Sequence, residues 1–257
     1  MPFVLTDDGC EIYYETHGAG PALVFCAGFM GITDIWREQF AHFAARYRCI
    51  AFDNRGAGRS DKPLPRIAYG VERHACDLAC VLDVVGCERA VLLGHSMGGN
   101  TASLFYLAQP ARVAGIVYVG SYVAGHQIAA VGNTLERIKA AVSTQNGRLA
   151  FYEAVGIPSD IAIEATKWPL YALLGNAESF MAFDLAPRIA EIKVPCLVLH
   201  GDRDIVSPLE PCGRSLAASL PAARLEVLPG VNHCPMLEAP SRCNESIAAF
   251  LDQSIVW

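Results

Sequence analysis

Six short apolar runs, most of them closed by glycine, punctuate the chain and limit the folds open to it. They are ALVFCAG (22–28), YRCIAFDNRGAGRS (47–60), RAVLLGHS (89–96), ARVAGIVYVG (111–120), VPCLVLHGDRD (194–204) and ARLEVLPG (223–230). Runs this short and this uniformly apolar read as buried strands. The last alternates like a sheet edge. Helical spacing appears between them. Val71, Ala75, Leu78, Ala79, Leu82 and Val85 recur on one face, as do Cys243, Ile247, Phe250 and Leu251 with Pro240 at the helix start. Strands alternating with helices predict crossover units, hence an α/β fold with a mostly parallel, doubly wound sheet. FVLTDDGCEIYYET at the start predicts a hairpin around Asp-Asp-Gly.

The alternation fails over residues 121–191. TLERIKAAV, RLAFYEAVG, IAIEATKWPLYALL and AESFMAFDLAPRIAEI carry helical patterning and no convincing strand. A stretch this long without a strand, inside a sheet protein, predicts an inserted helical lid. The expected organisation is therefore a core of residues 1–120 and 192–257 with a lid of 121–191. The lid aromatic residues Phe151, Tyr152, Trp168, Tyr171, Phe180 and Phe183, with Met181, should mostly pack helices together. A minority should form an apolar ceiling over a cleft.

Composition narrows the class. With 53% hydrophobic and 18% charged residues, the chain can build a large core. A net charge of −6 and the lack of a basic cluster argue against a nucleic-acid partner. No apolar run is long enough for a membrane span, and MPFVLTDDGCEIYYE lacks the basic start of a signal peptide, so a cytoplasmic protein is expected. The ten cysteines then read as reduced, buried small hydrophobes. Cys76 and Cys80 fit one apolar helix face better than a zinc site with His74 and Cys87. Nothing in the sequence sets an oligomeric state; a homo-oligomer is compatible with it.

The chemistry gathers at LLGHSMGGN. Gly94-His95-Ser96-Met97-Gly98 fits G-x-S-x-G between a predicted strand and a predicted helix. A serine that attacks a carbonyl must stand clear of the sheet on a sharp turn, and glycines two residues to either side remove the side chains that would collide there. The backbone N–H of Met97 then points to the same place from a helix N-terminus. A serine hydroxyl is a weak nucleophile, so it needs a base, and the base needs an orienting acid. HGDRDIVSP offers Asp202 and Asp204 in the loop after the fifth run. LPGVNHCPMLEAP offers His233 after the sixth. In a parallel sheet both loops fall at the carboxyl edge with the serine turn.

Taken together these segments resemble the α/β-hydrolase fold family across nearly all of the chain outside the lid. GHSMGG resembles its nucleophile elbow and FDNRGAGRSDKP its D-x-R-G-x-G-x-S loop. GDRDIVSP resembles the G-x-x-D-x-x-x-P acid loop, which selects Asp204 over Asp202. GVNHCPMLEAP resembles the G-x-x-H-x-x-x-x-E-x-P loop, which selects His233. Within the family, the chain looks most similar to the small serine esterase, enol-lactonase and non-haem perhydrolase group. The resemblance implies a triad of Ser96, Asp204 and His233. It also implies an oxyanion hole made by the backbone N–H groups of Phe29 and Met97, and a small-molecule substrate with no metal or organic cofactor. One departure stands out. Where the family has His-Gly before the oxyanion loop, this chain reads Cys26-Ala27-Gly28-Phe29, so Ala27 replaces the usual histidine.

The function expected is hydrolysis of a carboxylic ester or lactone of a small, largely apolar substrate through an acyl-enzyme. A histidine base must be neutral to act, so activity should rise with pH. A serine rather than an aspartate at the elbow argues against dehalogenase or epoxide-hydrolase chemistry. Carbon–carbon bond hydrolysis and perhydrolysis use the same triad and stay open. From another class come a small-ligand receptor and a non-hydrolytic cyclase or isomerase on the same fold. GHSMGG lacks the lysine of a phosphate loop, and GAGRS lacks the third glycine of a dinucleotide site. His95 and His126 read as packing or surface residues, and His17, His42 and His200 have no partner motif. Asp53, Arg55 and Ser60 read as loop braces.

Overall fold

A computed structural model describes residues 2–257. Its sheet has eight strands: β1 (Phe3–Leu5), β2 (Glu11–His17), β3 (Ala22–Cys26), β4 (Arg48–Phe52), β5 (Ala90–His95), β6 (Val113–Val119), β7 (Cys196–Gly201) and β8 (Ala223–Leu228). Their spatial order is β1-β2-β4-β3-β5-β6-β7-β8. β1 and β2 form the expected antiparallel hairpin, and β2 also pairs antiparallel with β4. From β4 onward every pairing is parallel. All six strands predicted from the apolar runs are present.

The central strands are apolar on both sides because helices cover both faces. β3, β5, β6 and β7 are buried along their whole length, as strands of a covered parallel sheet must be. Side chains alternate between two cores. Val24, Cys26 and Leu92 join α2 (Val71–Val84) and α3 (Met97–Ala108) on one face. Leu23, Phe25, Val91 and Leu93 join α1 (Arg37–Phe43) and, at the far end of the chain, the helix Pro240–Ser254 on the other. α2 buries Val71, Ala75, Leu78 and Leu82 at the predicted spacing. It does not bury the cysteine pair. Cys76 is exposed and Cys80 half-buried, because the buried stripe runs through His74, Asp77 and Val81 instead. Asp77 belongs in that stripe because it meets a buried cation, described below.

Between β6 and β7 the chain forms five helices: α4 (Gly125–Ala130), α5 (Leu135–Val142), α6 (Gln145–Ala154), α7 (Ser159–Ala165) and α8 (Leu170–Ala182). The segment leaves and re-enters at one place. Ala124 and Asp184 form an antiparallel bridge, Gly125 N–H donates to Phe183 O at 2.9 Å, and Leu185 N–H donates to Val123 O at 3.1 Å. Three helices follow in the C-terminal part: α9 (Arg214–Ser219), α10 (Pro235–Glu238) and α11 (Pro240–Ser254).

The topology places the functional loops. The chain passes from β3 to β4 on one side and then crosses to β5 on the other, so β3 and β5 lie side by side with Cys26 opposite Gly94. That reversal opens a crevice at the carboxyl ends of the strands. The loop after β3 and the serine turn after β5 are thereby neighbours.

The loop after β4 is anchored by a buried ion pair. Arg55 is wholly buried. Its Nε and Nη2 donate to Asp77 at 2.7 and 2.6 Å, Nη1 and Nη2 donate to Asp8 at 2.7 and 3.0 Å, and Nη1 also donates to Ala68 O at 3.1 Å. Such a pair is costly to break because the surviving charge stays buried. Asp77→Ala should therefore destabilise the fold by about 3 kcal/mol or more, read as a lower urea midpoint at unchanged slope. A change below about 0.5 kcal/mol would mean that Asp8 alone suffices.

Candidate active site

Ser96 is the single residue between β5 and α3. Its φ of 52° is one that L-residues rarely adopt. The strain persists because the surroundings leave no alternative. Ser96 N–H donates to Val119 O at 2.9 Å, and Ser121 Oγ donates to Ser96 O at 3.1 Å. The flanking glycines are needed for close approach, not for freedom of φ. A Cβ on Gly94 would lie 2.5 Å from Gly98 O, and one on Gly98 would collide with the Cys26 carbonyl.

The loop after β3 presses against this turn. A Cβ on Gly28 would lie 2.9 Å from Ser96 Cβ, so Phe29, the next residue, begins the segment that faces the serine. Met97 opens α3, where first-turn N–H groups have no partner within the helix. Ala27 is buried among apolar neighbours, and its carbonyl is held by Asn54, whose Nδ2 donates to Ala27 O at 3.0 Å and Gly28 O at 3.5 Å. Asp53, the residue before, accepts Thr33 N–H at 2.8 Å. The loop that lacks the usual histidine is thus pinned from below by the loop after β4. Ser60 braces that same loop, with Oγ donating to Asp53 O at 2.6 Å. The sequence reading missed Asn54; its place in FDNRG was the available signal.

Asp204 and His233 meet as expected. His233 Nδ1 lies 2.8 Å from Asp204 Oδ2, with both side chains buried. Asp204 Oδ1 accepts the N–H groups of Val206 and Ser207 at 2.8 and 2.9 Å, and Oδ2 accepts Ser207 Oγ at 3.1 Å. Burial alone would raise this carboxyl. His233 and His200 beside it outweigh burial and hold it well below the usual carboxylate range. Asp202 is elsewhere: it accepts Gly230 N–H at 2.7 Å in an exposed turn.

Ser96 and His233 line one cavity with no direct hydrogen bond between them. His95 lies under His233, its ring 4.8 Å from that of His233 and its Nε2 3.1 Å from His233 O. A carbonyl accepts, so Nε2 carries the proton. Burial, with His233 adding to it, pushes His95 down to about 3. His95 is neutral and serves packing and hydrogen bonding. His126 is exposed on α4.

The cavity is narrow, with about 50 Å³ within reach of the centre of a water-sized sphere. Its upper wall is apolar: Ile128, Ile138, Phe151, Val155, Ile157 and Phe180, all from the five helices and their connections. Of the aromatic residues between β6 and β7, Tyr122, Phe151, Tyr152 and Phe180 line it. Trp168 is buried away from it and Tyr171 donates to Lys62 O at 2.8 Å.

Comparison with known proteins follows the same outline. The family model described as alpha/beta hydrolase fold matches residues 21–157. The chain is 31% identical to RutD of Azorhizobium caulinodans, a protein named for carbamate hydrolysis, over 97% of this chain and 98% of that one. Among solved structures, the esterase RhEst1 from Rhodococcus sp. ECU1013 superposes with a TM-score of 0.85 at 26% identity, covering 99% of this chain and 100% of that one. Est816, described as an N-acyl homoserine lactone degrading enzyme, superposes with a TM-score of 0.81 at 29% identity, covering 97% and 100%.

Asn54→Ala leaves the buried Ala27 carbonyl without its side-chain donor, while Gly28 O keeps the N–H of Gly31 at 3.0 Å; the loss should cost about 1–3 kcal/mol. Chemical denaturation measures it. A neutral result would show that the loop holds itself.

Proposed function

The chain belongs to the α/β-hydrolase fold family, and we propose that it is a serine hydrolase of carboxylic esters or lactones with a small, largely apolar body. Ser96 attacks the carbonyl, His233 takes its proton, and Asp204 holds the imidazole with Nδ1–H bound and Nε2 free. The backbone N–H groups of Phe29 and Met97 receive the oxyanion. Water, activated by the same histidine, then releases the acyl-enzyme. The observation that carries this reading is the bond of His233 to the buried Asp204 at 2.8 Å, on the cavity that also holds Ser96.

Ser96 and His233 share the cavity without a direct hydrogen bond. Such bonds are often long before substrate binds and tighten in the Michaelis complex. We assign the segment of residues 121–191 as a lid that supplies the apolar ceiling, and that ceiling favours an alkyl or aryl body over a charged one. Esterase and lactonase relatives support the reaction class. A relative named for carbamate hydrolysis adds carbamates to the panel worth testing.

Labelling with a fluorophosphonate probe should give one adduct, on Ser96. Turnover of short nitrophenyl esters should fall on the order of 10⁶-fold in Ser96→Ala. Ligand binding without turnover, unaffected by Ser96→Ala, would replace this reading with a receptor.

The pH profile should show a single acid limb. Asp204 stays ionised throughout the working range. His95 stays neutral above about 3, so neither group adds a second limb to the rise of kcat/KM. Two limbs between about pH 5 and 8 would require another titrating group in the site.

A further inference from the structure

With no hydrogen bond between Ser96 and His233, the spacing of the two is set by something else in the site. His95 is placed to set it. It is the last residue of β5 and is joined covalently to Ser96. Its side chain reaches the other partner. Nε2 lies 3.1 Å from His233 O, and the two rings stand 4.8 Å apart at 56°. A carbonyl only accepts, so Nε2 carries the proton and Nδ1 is bare. Among the described residues no other donor reaches the His233 carbonyl. One side chain therefore spans from the serine turn to the main chain of a residue 138 positions further along the sequence.

The span has little slack. At its near end, Ser96 N–H is held by Val119 O at 2.9 Å. At its far end, a Cβ on Gly120 would lie 3.0 Å from His233 O. The ring between them is backed by the loop after β3, where a Cβ on Gly28 would lie 3.0 Å from His95 Nδ1 and 2.9 Å from Ser96 Cβ. Nδ1 has no hydrogen-bond partner, so Nε2–H makes the one directional bond of the ring. Cys234 Sγ, at 3.9 Å from Nε2, is more distant and a weaker acceptor than the carbonyl. Burial keeps the ring neutral, so the donor is present throughout the working range.

We propose that His95 is a positioning residue for hydrolysis, a strut that fixes the main chain of His233 relative to Ser96. It keeps the imidazole where the serine hydroxyl can reach it once substrate binds. The inference rests on the triad reading of Ser96, His233 and Asp204 given above. Its physical ground is orientation, because a group displaced by about 1 Å from its productive place can lose on the order of 100-fold in rate.

The experiment measures kcat, KM and the urea midpoint for the wild type, His95→Phe and His95→Gln, with a short nitrophenyl ester as substrate. Phenylalanine fills the place of the ring and removes the donor, so kcat should fall by about tenfold or more with KM nearly unchanged. Glutamine keeps an N–H of similar reach and should recover most of that loss. A merely structural role would lower the midpoint of both variants and leave kcat of the folded protein in place. Unchanged kcat in folded His95→Phe, with turnover still lost in Ser96→Ala, overturns the proposal and spares the triad. Equal losses of kcat in the two variants also overturn it. Turnover that survives Ser96→Ala overturns both readings. Should His95→Phe fail to fold, His95→Asn takes its place, because its amide is one methylene too short to span to the carbonyl. Turnover kept with glutamine and lost with asparagine supports the strut, and equal turnover overturns it.

Discussion

A carboxylate removed from water is the constraint around which the site is arranged. Asp204 is 4% exposed, and an ionised group so placed is tolerated only when its oxygens are fully engaged. Its partners come from two loops: Val206 N–H and Ser207 N–H from its own turn and His233 from the loop after β8, with His200 Nε2 of β7 3.3 Å away. Satisfying this one charge shapes the 204–207 turn, fixes which nitrogen of His233 is bound, and leaves the other free. The packing is close enough that Gly120 has no room for a side chain. It has a φ of +56°, and a Cβ there would lie 3.0 Å from His233 O and 3.4 Å from Asp204 Oδ2.

The sheet brings Ser96 to that charge. Strand order reverses between β3 and β5, and this sets the loop after β3 against the serine turn, where three glycines permit backbone-to-backbone approach that any side chain would block. The charge clusters after β4 have a different task. Arg55 ties that loop to α2 and to the β1–β2 turn, and Asn54 and Asp53 pass the constraint on to residues 27–33. A loop with alanine in place of histidine is therefore held by amide-to-carbonyl bonds from its neighbour. This is a polar solution that leaves the Ala27 side chain free to pack in the core.

What could be read from the sequence divides along physical lines. Strands announce themselves because both faces are buried, so ALVFCAG and VPCLVLHG are apolar throughout. The elbow is legible because its glycines answer a steric demand that recurs at fixed spacing. The sequence reading also singled out Asp204 and His233, which the structure joins, and separated them from Asp202, which caps a turn. Residues acting through three-dimensional proximity alone were not legible. His200 looks like one more polar residue closing a strand, and its bond to Ser207 O depends on the path of the turn that follows. Asn54 is an unremarked member of a glycine-rich loop until the loop after β3 is seen above it. Cys76 misled because helical spacing gives a face but not its width, and α2 uses part of its inner face for Asp77, the partner of Arg55.

The same reasoning separates chemistry from selectivity in this cavity. The floor is polar, and its parts are bonded to one another. The upper wall is apolar and contributed by the five helices. The two meet at the rim, where Asn133 donates to Ile205 O at 2.8 Å and Val206 O at 3.0 Å, and Asn232 donates to Ala154 O at 2.9 Å. These bonds tether the helices to the loops that carry Asp204 and His233, yet the wall residues Phe151, Ile157 and Phe180 share no hydrogen bond with either. Substitutions in the wall alter volume and apolar contact, which change which substrate fits by modest factors. Substitutions at the rim or floor disturb the buried charge itself. The fold thus lets the apolar wall vary while the charge network below it stays fixed.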